Sequence, residues 1–87
     1  MQLKMFVVRD SKSNIFGIPQ YAHTHAEAER HFTLQAKKSD NPVGQFPEDH
    51  DLYYVGTYDT DLGTITAVES PQHVAKAITA LGNNAMN

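Results

Sequence analysis

Apolar and polar positions near the N-terminus predict a short hairpin. Residues 3 to 9 read LKMFVVR, an apolar and β-branched run typical of a strand, and the polar cluster from 10 to 14 then predicts a turn. The apolar residues Ile15 to Ile18 precede Pro19. They predict a second strand, which the proline confines to an edge of the sheet because it lacks an N–H.

A first helix is predicted from His25 to about Lys38. Thr24 and Glu27 have the spacing of a capping box at its start. Its apolar positions recur at intervals of four and share one face: Ala28, Phe32 and Ala36. Its charges complement the helix dipole, acidic in the first turns and basic in the last: Glu27, Glu29, Lys37 and Lys38.

A second hairpin is predicted after a loop from residue 39 to 47. Residues 52 to 58, LYYVGTY, alternate along a predicted strand. One face would carry Leu52, Tyr54, Gly56 and Tyr58, and the other Tyr53, Val55 and Thr57. A turn from Asp59 to Gly63 leads into a returning strand from Thr64 to Val68.

A last helix is predicted to begin at Ser70-Pro71, with serine as the N-cap and proline at the first helical position. One apolar stripe follows at helical spacing: Val74, Ala77, Ile78 and Leu81. Gly82 is suited to the C-terminal cap. The remaining residues, Asn83 to Asn87, are expected to form a flexible tail.

The order strand, strand, helix, strand, strand, helix predicts an α+β fold with two layers. Residues 1–82 would form a single domain, in which a mainly antiparallel sheet of three or four strands carries both helices on one face. The other sheet face would be partly open. It would hold either Tyr53, Val55 and Thr57, or Tyr54 and Tyr58, and it is where a binding role is expected.

Composition excludes several classes of function. The chain has no cysteine, so disulfides, thiolate nucleophiles and cysteine zinc sites are excluded. No apolar run reaches the roughly 18 residues of a membrane span, and the charged N-terminus is unlike a signal peptide, so a cytoplasmic location is expected. Neither a glycine-rich phosphate loop nor a nucleophile elbow occurs. An enzyme or a bound cofactor is therefore not expected.

Two clusters resemble cation sites. One is a group of histidines and a carboxylate around the first helix: His23, His25, Glu27 and His31. The other is the acidic group Asp49, Asp51, Asp59 and Asp61. Neither has the spacing of a known metal motif, and solvated polar residues at element ends explain both, so no metal is expected.

Cations alternate with aromatic residues in a way that suits single-stranded nucleic acid, since cations contact phosphates and rings stack on bases. The candidate contacts are Lys4, Arg9, Lys12, Phe16, Tyr21, Arg30, Lys37 and Lys38. The net charge of −3 opposes binding dominated by phosphates. The other interpretation is that Phe16 and Tyr21 fill the core and the lysines form a solvated rim.

A second candidate surface is acidic and aromatic. Five of the ten acidic residues fall between Glu48 and Asp61, beside three of the four tyrosines. They either keep an aromatic strand soluble or contact a basic protein partner, or a second copy of the chain. The candidate residues are Asp49, Asp51, Tyr53, Tyr54 and Tyr58.

Several stretches together resemble the small nonstructural protein of gokushoviruses, which are tailless bacteriophages with single-stranded circular DNA. The resemblance spans residues 1 to about 82. It includes MQLKMFVVRDSKSNIFG, AEAERHF, Asn41-Pro42, PEDHDLYYVGTYD and a proline before the last predicted helix. The most specific elements are V-R-D near the N-terminus and the P-E-D-x-D-L-Y-x-x-G-x-Y-D pattern at 47–59.

The resemblance implies a DNA-binding or replication accessory protein of a phage, compared by genome position with a protein that switches synthesis to single-stranded product during packaging. It implies expression in the bacterial host cytoplasm, with single-stranded DNA as partner. The acidic balance of the chain leaves a phage or host replication or packaging protein as the alternative partner. The resemblance supplies no functional residues. Single-stranded DNA binding is thus the leading hypothesis, and a protein interaction module is the alternative.

Overall fold

An antiparallel sheet forms one layer of the protein and its helices form the other. The computed structural model describes the backbone of residues 1–85 and the side chains of residues 1–81. The elements are β1 (Gln2–Asp10), β2 (Ile15–Phe16), β3 (Gln20–Ala22), α1 (His25–Ala36), α2 (Pro42–Gln45), a 3-10 helix (Pro47–Asp49), β4 (His50–Asp59), β5 (Thr64–Lys76) and α3 (Ala77–Ala85). The expected α+β class and antiparallel sheet are confirmed.

The sheet has the order β2-β1-β4-β5, and β3 pairs with the same edge of β1 as β2 does. The first predicted hairpin therefore forms, but its second strand is only two residues long. Gly17 still donates from its backbone N–H to the Val8 carbonyl at 2.8 Å. Pro19 lies between β2 and β3, at the sheet edge, where a missing N–H does not interrupt the interior of the sheet.

The core lies between the helices and one sheet face. A single cluster of buried residues joins β1, β3, β4 and all three α-helices: Phe6, Ala22, Ala28, Phe32, Ala36, Val43, Leu52 and Ala77. The predicted apolar face of α1 is thus buried, and the helices share one side of the sheet. The predicted order of elements is wrong, because β3 and α2 are additional elements.

Helix α1 begins as predicted and ends early. The Thr24 hydroxyl accepts from the Glu27 N–H at 3.1 Å, and the Glu27 carboxylate accepts from the His23 N–H at 2.9 Å. The helix ends at Ala36, so Lys37 and Lys38 lie beyond its last turn and not within it. Asn41 helps to end it by donating its side-chain N–H to the Gln35 carbonyl at 3.1 Å.

The predicted loop from 39 to 47 contains a short helix. The Asn41 side chain accepts from the Gly44 N–H at 3.1 Å and caps α2, whose first residue is Pro42. Val43 is 4% exposed and belongs to the core. The 3-10 helix follows directly.

The last helix begins at Ala77 and not at Ser70-Pro71. Both of those residues lie in β5, which continues to pair with β4 as far as Lys76 opposite Asp51. The local helix-start signal is overridden because β5 pairs with β4 both before and after these residues, which holds this segment in the strand. Gly82 lies within α3 and is not its C-terminal cap. The predicted tail of residues 83–87 lies partly outside the described residues and stays a prediction.

A bulge in β4 changes the predicted alternation of side chains. Phe6 pairs with Tyr54 and Met5 with Gly56, so Val55 is an extra residue on β4. Such an insertion reverses the facing of every later residue. Leu52 and Tyr54 therefore face the helices, whereas Gly56 and Tyr58 join Tyr53 on the opposite face.

Candidate nucleic-acid interface

Four aromatic rings follow one strand on the sheet face that is opposite the helices. We call this the open face, and alternate residues of β1 lie on it: Leu3, Met5, Val7 and Arg9. Because directly paired residues of antiparallel strands share a face, each of these positions brings an aromatic partner to the open face. The pairs are Arg9 with Phe16, Val7 with Tyr53, Met5 with Tyr21, and Leu3 with Tyr58. We call Phe16, Tyr53, Tyr21 and Tyr58 the ring row.

Neighbouring rings of the row contact one another across β1. The ring centroids of Phe16 and Tyr53 are 5.5 Å apart, and those of Tyr21 and Tyr58 are 6.0 Å apart. Phe16 is 46% exposed and Tyr21 is 50% exposed, so neither fills the core beneath the helices. The surface of β1 between the rings is formed by two buried apolar side chains, those of Met5 and Val7. The open face is thus an accessible aromatic surface on the sheet.

The backbone at Gly56 holds this arrangement in place. Gly56 has a φ of +154°, in the region that favours glycine. A Cβ there would lie 2.3 Å from the Thr66 carbonyl oxygen on β5. Only glycine lets the two strands approach so closely next to the extra residue Val55.

Cationic groups surround the Phe16 end of the ring row. The Arg9 guanidinium lies 5.7 Å from the Phe16 ring centroid and also donates to the Asn14 side chain. His73 packs edge-on against Tyr53 with centroids 5.3 Å apart. These contacts bring positive or protonatable groups from β1 and β5 to the same two rings.

One carboxylate at this end has two basic partners. Asp51 lies 2.7 Å from the His73 ring nitrogen Nε2 and 3.5 Å from the Lys76 ammonium. Its side chain is only 19% exposed, whereas that of Lys76 is 60% exposed. The negative charge is therefore compensated, and the lysine remains accessible to a ligand.

Acidic residues at the opposite end have local structural partners. Asp61 binds the N-terminal ammonium of Met1 at 2.6 Å. The Asp59 carboxylate accepts from the N–H groups of Asp61 and Leu62, at 2.8 and 3.2 Å, and so closes the β4–β5 turn. These contacts give the carboxylates of Asp59 and Asp61 structural roles at this end of β4. At the Phe16 end, Asp49 accepts from the Ser11 N–H at 2.9 Å with its backbone carbonyl and not with its carboxylate.

Other predicted residues lie away from the open face. Tyr54 faces the helices, where its ring centroid is 4.9 Å from that of His25 and 5.3 Å from the Lys4 ammonium. Lys12 lies in the β1–β2 turn. The remaining predicted cations are on or just after α1, in the helix layer: Arg30, Lys37 and Lys38. The structure thus unites Arg9, Phe16 and Tyr21 with Tyr53, Tyr58 and Asp51, which the sequence analysis assigned to two different surfaces.

His73 and Lys76 are candidate contacts that sequence reasoning missed. Both follow Ser70-Pro71 and were assigned to a helix, where they would lie far from Tyr53. The alternation of side chains along β5 could have placed both residues on the open face. However, the pairing register shifts between Leu52 and Tyr53, which breaks that alternation.

The two proposed cation clusters do not assemble into sites in the part of the chain that the structure describes. No group of three or more His, Cys, Asp or Glu side chains there could hold a metal ion. His23 and Glu27 form a local pair at 3.5 Å. The hydrogen bond from the His23 backbone N–H, more than any other contact, lowers the pKa of the Glu27 carboxyl. Within the same described residues, no helix is long and apolar enough to cross a membrane.

Comparisons with known proteins identify the family of the chain. Neither the curated proteins nor the solved structures gave a match. A family model described as Phage ORF5 protein matches residues 3–80, which include every residue of the ring row and its surrounding cations. The chain therefore belongs to the Phage ORF5 protein family.

Proposed function

We propose that this phage accessory protein binds single-stranded DNA through the open face during viral genome synthesis or packaging. The protein would act in the cytoplasm of a bacterium infected by a gokushovirus-type phage. The observation that carries it is the ring row, which places four aromatic side chains along one strand of a helix-free sheet face. Every base has a π-face, and stacking on an aromatic side chain contributes about 1–3 kcal/mol per base.

The charges around the row support a small number of phosphate contacts. Arg9 and Lys76 flank its Phe16 end, and His73 adds a charge when it is protonated. On single strands each neutralised phosphate contributes about −0.7 to the slope of log affinity against log salt. With a net charge of −3, we expect a shallow slope set by two or three local contacts and not by the whole surface.

Both edges of the sheet carry features that disfavour binding of an added strand, which leaves the open face as the binding surface. Pro19 interrupts one edge between β2 and β3. On the other edge, Pro71 and Glu69 lie in the part of β5 that bulges away opposite Val55. Prolines, charges and bulges at edges discourage the addition of a further strand.

The alternative is a protein interaction module, either a homodimer or a complex with a phage or host protein. It is favoured by exposed apolar side chains near the ring row: Ile18 is 87% exposed and Ile65 is 62% exposed. Ile65 pairs with Tyr58 and so continues the open face onto β5. An apolar surface of this kind also suits a protein partner.

Fluorescence anisotropy of a labelled single-stranded oligonucleotide, titrated with the protein at two salt concentrations, tests the proposal. We expect saturable binding that weakens modestly with salt and is lost in a Tyr53→Ala, Tyr58→Ala double variant. No binding of the folded wild-type protein at low salt would contradict it. A dimer in light scattering that the same double variant dissociates would then support the alternative.

A further inference from the structure

We infer that the ring row accepts an extended, unstacked strand, so that the protein favours pyrimidine-rich over adenine-rich single-stranded DNA. This inference rests on the proposed function and specifies its ligand. It follows from the spacing of the rings, which the register of β1 fixes.

Every second residue of β1 pairs with a residue that carries a ring on the open face. These β1 residues are Leu3, Met5, Val7 and Arg9. A β-strand rises by about 3.4 Å per residue, so the backbone positions that carry successive rings are offset by about 6.8 Å along the strand. The side chains of each contacting pair lean together, to centroid distances of 5.5 Å for Phe16 with Tyr53 and 6.0 Å for Tyr21 with Tyr58. The rings also alternate between the two sides of β1: Phe16 and Tyr21 come from the β2 and β3 side, and Tyr53 and Tyr58 from β4. The backbone positions that carry the four rings therefore form a zigzag about 20 Å long beside β1.

Bases in a stacked strand are too closely spaced to match this row. Adjacent nucleotides of a B-form strand rise by about 3.4 Å, which is well below the 5.5 and 6.0 Å between the centroids of contacting rings. One base per ring requires the strand to be stretched and its neighbouring bases to be separated. The rings of the two contacting pairs are inclined to each other by 72° and 58°, so two bases that stack on such a pair cannot also stack face to face on each other.

The free energy of unstacking then becomes part of binding. Strands whose bases stack weakly reach the extended form at lower cost, and sequence preferences of this origin favour pyrimidine runs. Duplex DNA is excluded by the same geometry, because its bases are paired and stacked. Four rings also set the site size, and we expect about four nucleotides to occupy the row.

Competition between labelled oligo-dT and unlabelled oligo-dT or oligo-dA, each about 12 nucleotides long, tests the inference. We expect oligo-dT to bind about threefold or more tightly than oligo-dA, and the ratio to narrow on warming, as adenine stacking weakens. A Tyr21→Ala, Tyr58→Ala double variant should reduce both affinity and preference. The matched control, Arg30→Gln on the helix layer, should change neither.

Equal affinity for the two oligomers, or tighter binding of oligo-dA, would overturn the inference and leave the proposed function intact. Failure of both oligomers to bind at low salt would overturn both. A series of oligo-dT lengths gives an independent check: affinity should rise steeply up to about four nucleotides and only slowly beyond. A steep rise that continues well beyond that length would also overturn the ring-row site.

Discussion

The ring of Tyr21 on β3 lies 6.0 Å from the ring of Tyr58 on β4, on the side of the sheet away from the helices. The two residues meet there because Val55 is an extra residue in β4. Without that bulge, strict alternation would turn Tyr58 toward the helix side, together with Leu52 and Tyr54. One inserted residue thus completes the ring row.

Gly56, beside this bulge, is expected to tolerate no side chain. In Gly56→Ala the Cβ would approach the Thr66 carbonyl oxygen to 2.3 Å at a φ that alanine rarely adopts, so we expect a loss of about 2 kcal/mol or more. Gly63→Ala is the control, because Gly63 also has a positive φ, +68°, but has no atom within 4 Å of the added Cβ. It should cost about 1 kcal/mol. Urea denaturation of both variants measures the difference, and equal losses would contradict the account.

Removing one ring should weaken DNA binding without unfolding the protein. Tyr58→Ala should lower affinity about 5- to 150-fold, the range that corresponds to one stacked base, whereas Tyr58→Phe should retain most of it. Phe46→Ala is the control, because Phe46 is 52% exposed but follows α2, in the helix layer. Anisotropy gives the affinities and circular dichroism verifies the fold. Equal losses in the Phe46 and Tyr58 variants would rule out a specific role for the row.

Cations on the open face should contribute to binding, and those on the helix layer should not. We expect Arg9→Gln and Lys76→Gln each to reduce affinity and to make the salt slope shallower by about 0.7. Arg30→Gln and Lys38→Gln remove the same charge from α1 or the turn after it. They should leave the slope unchanged. If the helix-layer variants instead bound DNA more weakly than the open-face variants, the DNA would lie on the helix side of the sheet.

Glu27 should make folding stability depend on pH in the acid range. Hydrogen bonding from the His23 N–H lowers the pKa of this carboxyl in the folded protein, so its ionised form stabilises the fold at pH values above its unfolded pKa. That contribution is lost as the pH falls through the lower, folded pKa. Glu27→Gln should therefore be less stable than the wild type at pH 7, with the difference shrinking toward about pH 3.

Urea midpoints measured between those pH values test the role of Glu27. Glu29→Gln removes a carboxylate from an exposed position of the same helix and is the control. A difference between wild type and Glu27→Gln that is constant with pH would show that the carboxylate's charge contributes nothing.

Local signals predicted α1 well and the last helix poorly. The cap joins Thr24 and Glu27, which are three residues apart, and the repeat of Ala28, Phe32 and Ala36 is a helical period along the chain, so the local sequence contains the information. Ser70-Pro71 gave an equally good local signal. There the pairing of β5 with β4 prevailed, because tertiary pairing outweighs a cap that contributes about 1 kcal/mol.

Most residues of the candidate site were recognisable from the sequence, but their assembly on one face was not. Arg9, Phe16 and Tyr21 were selected as cations and rings close together in the chain, and Tyr53 and Tyr58 as an aromatic strand. Their union on one face depends on strand order and on the extra residue Val55, neither of which has a local signature. His73 and Lys76 were missed for the same reason, since their neighbours on β4 are more than twenty residues away.

The most direct test of the open-face account is an NMR titration of ¹⁵N-labelled protein with a short oligo-dT. The account predicts that amide shifts concentrate on the ring row and on Val7, Arg9 and His73, while amides of α1 remain unchanged. Shifts confined to α1 and the turn at Lys37 and Lys38, or no shifts at low salt, would contradict it.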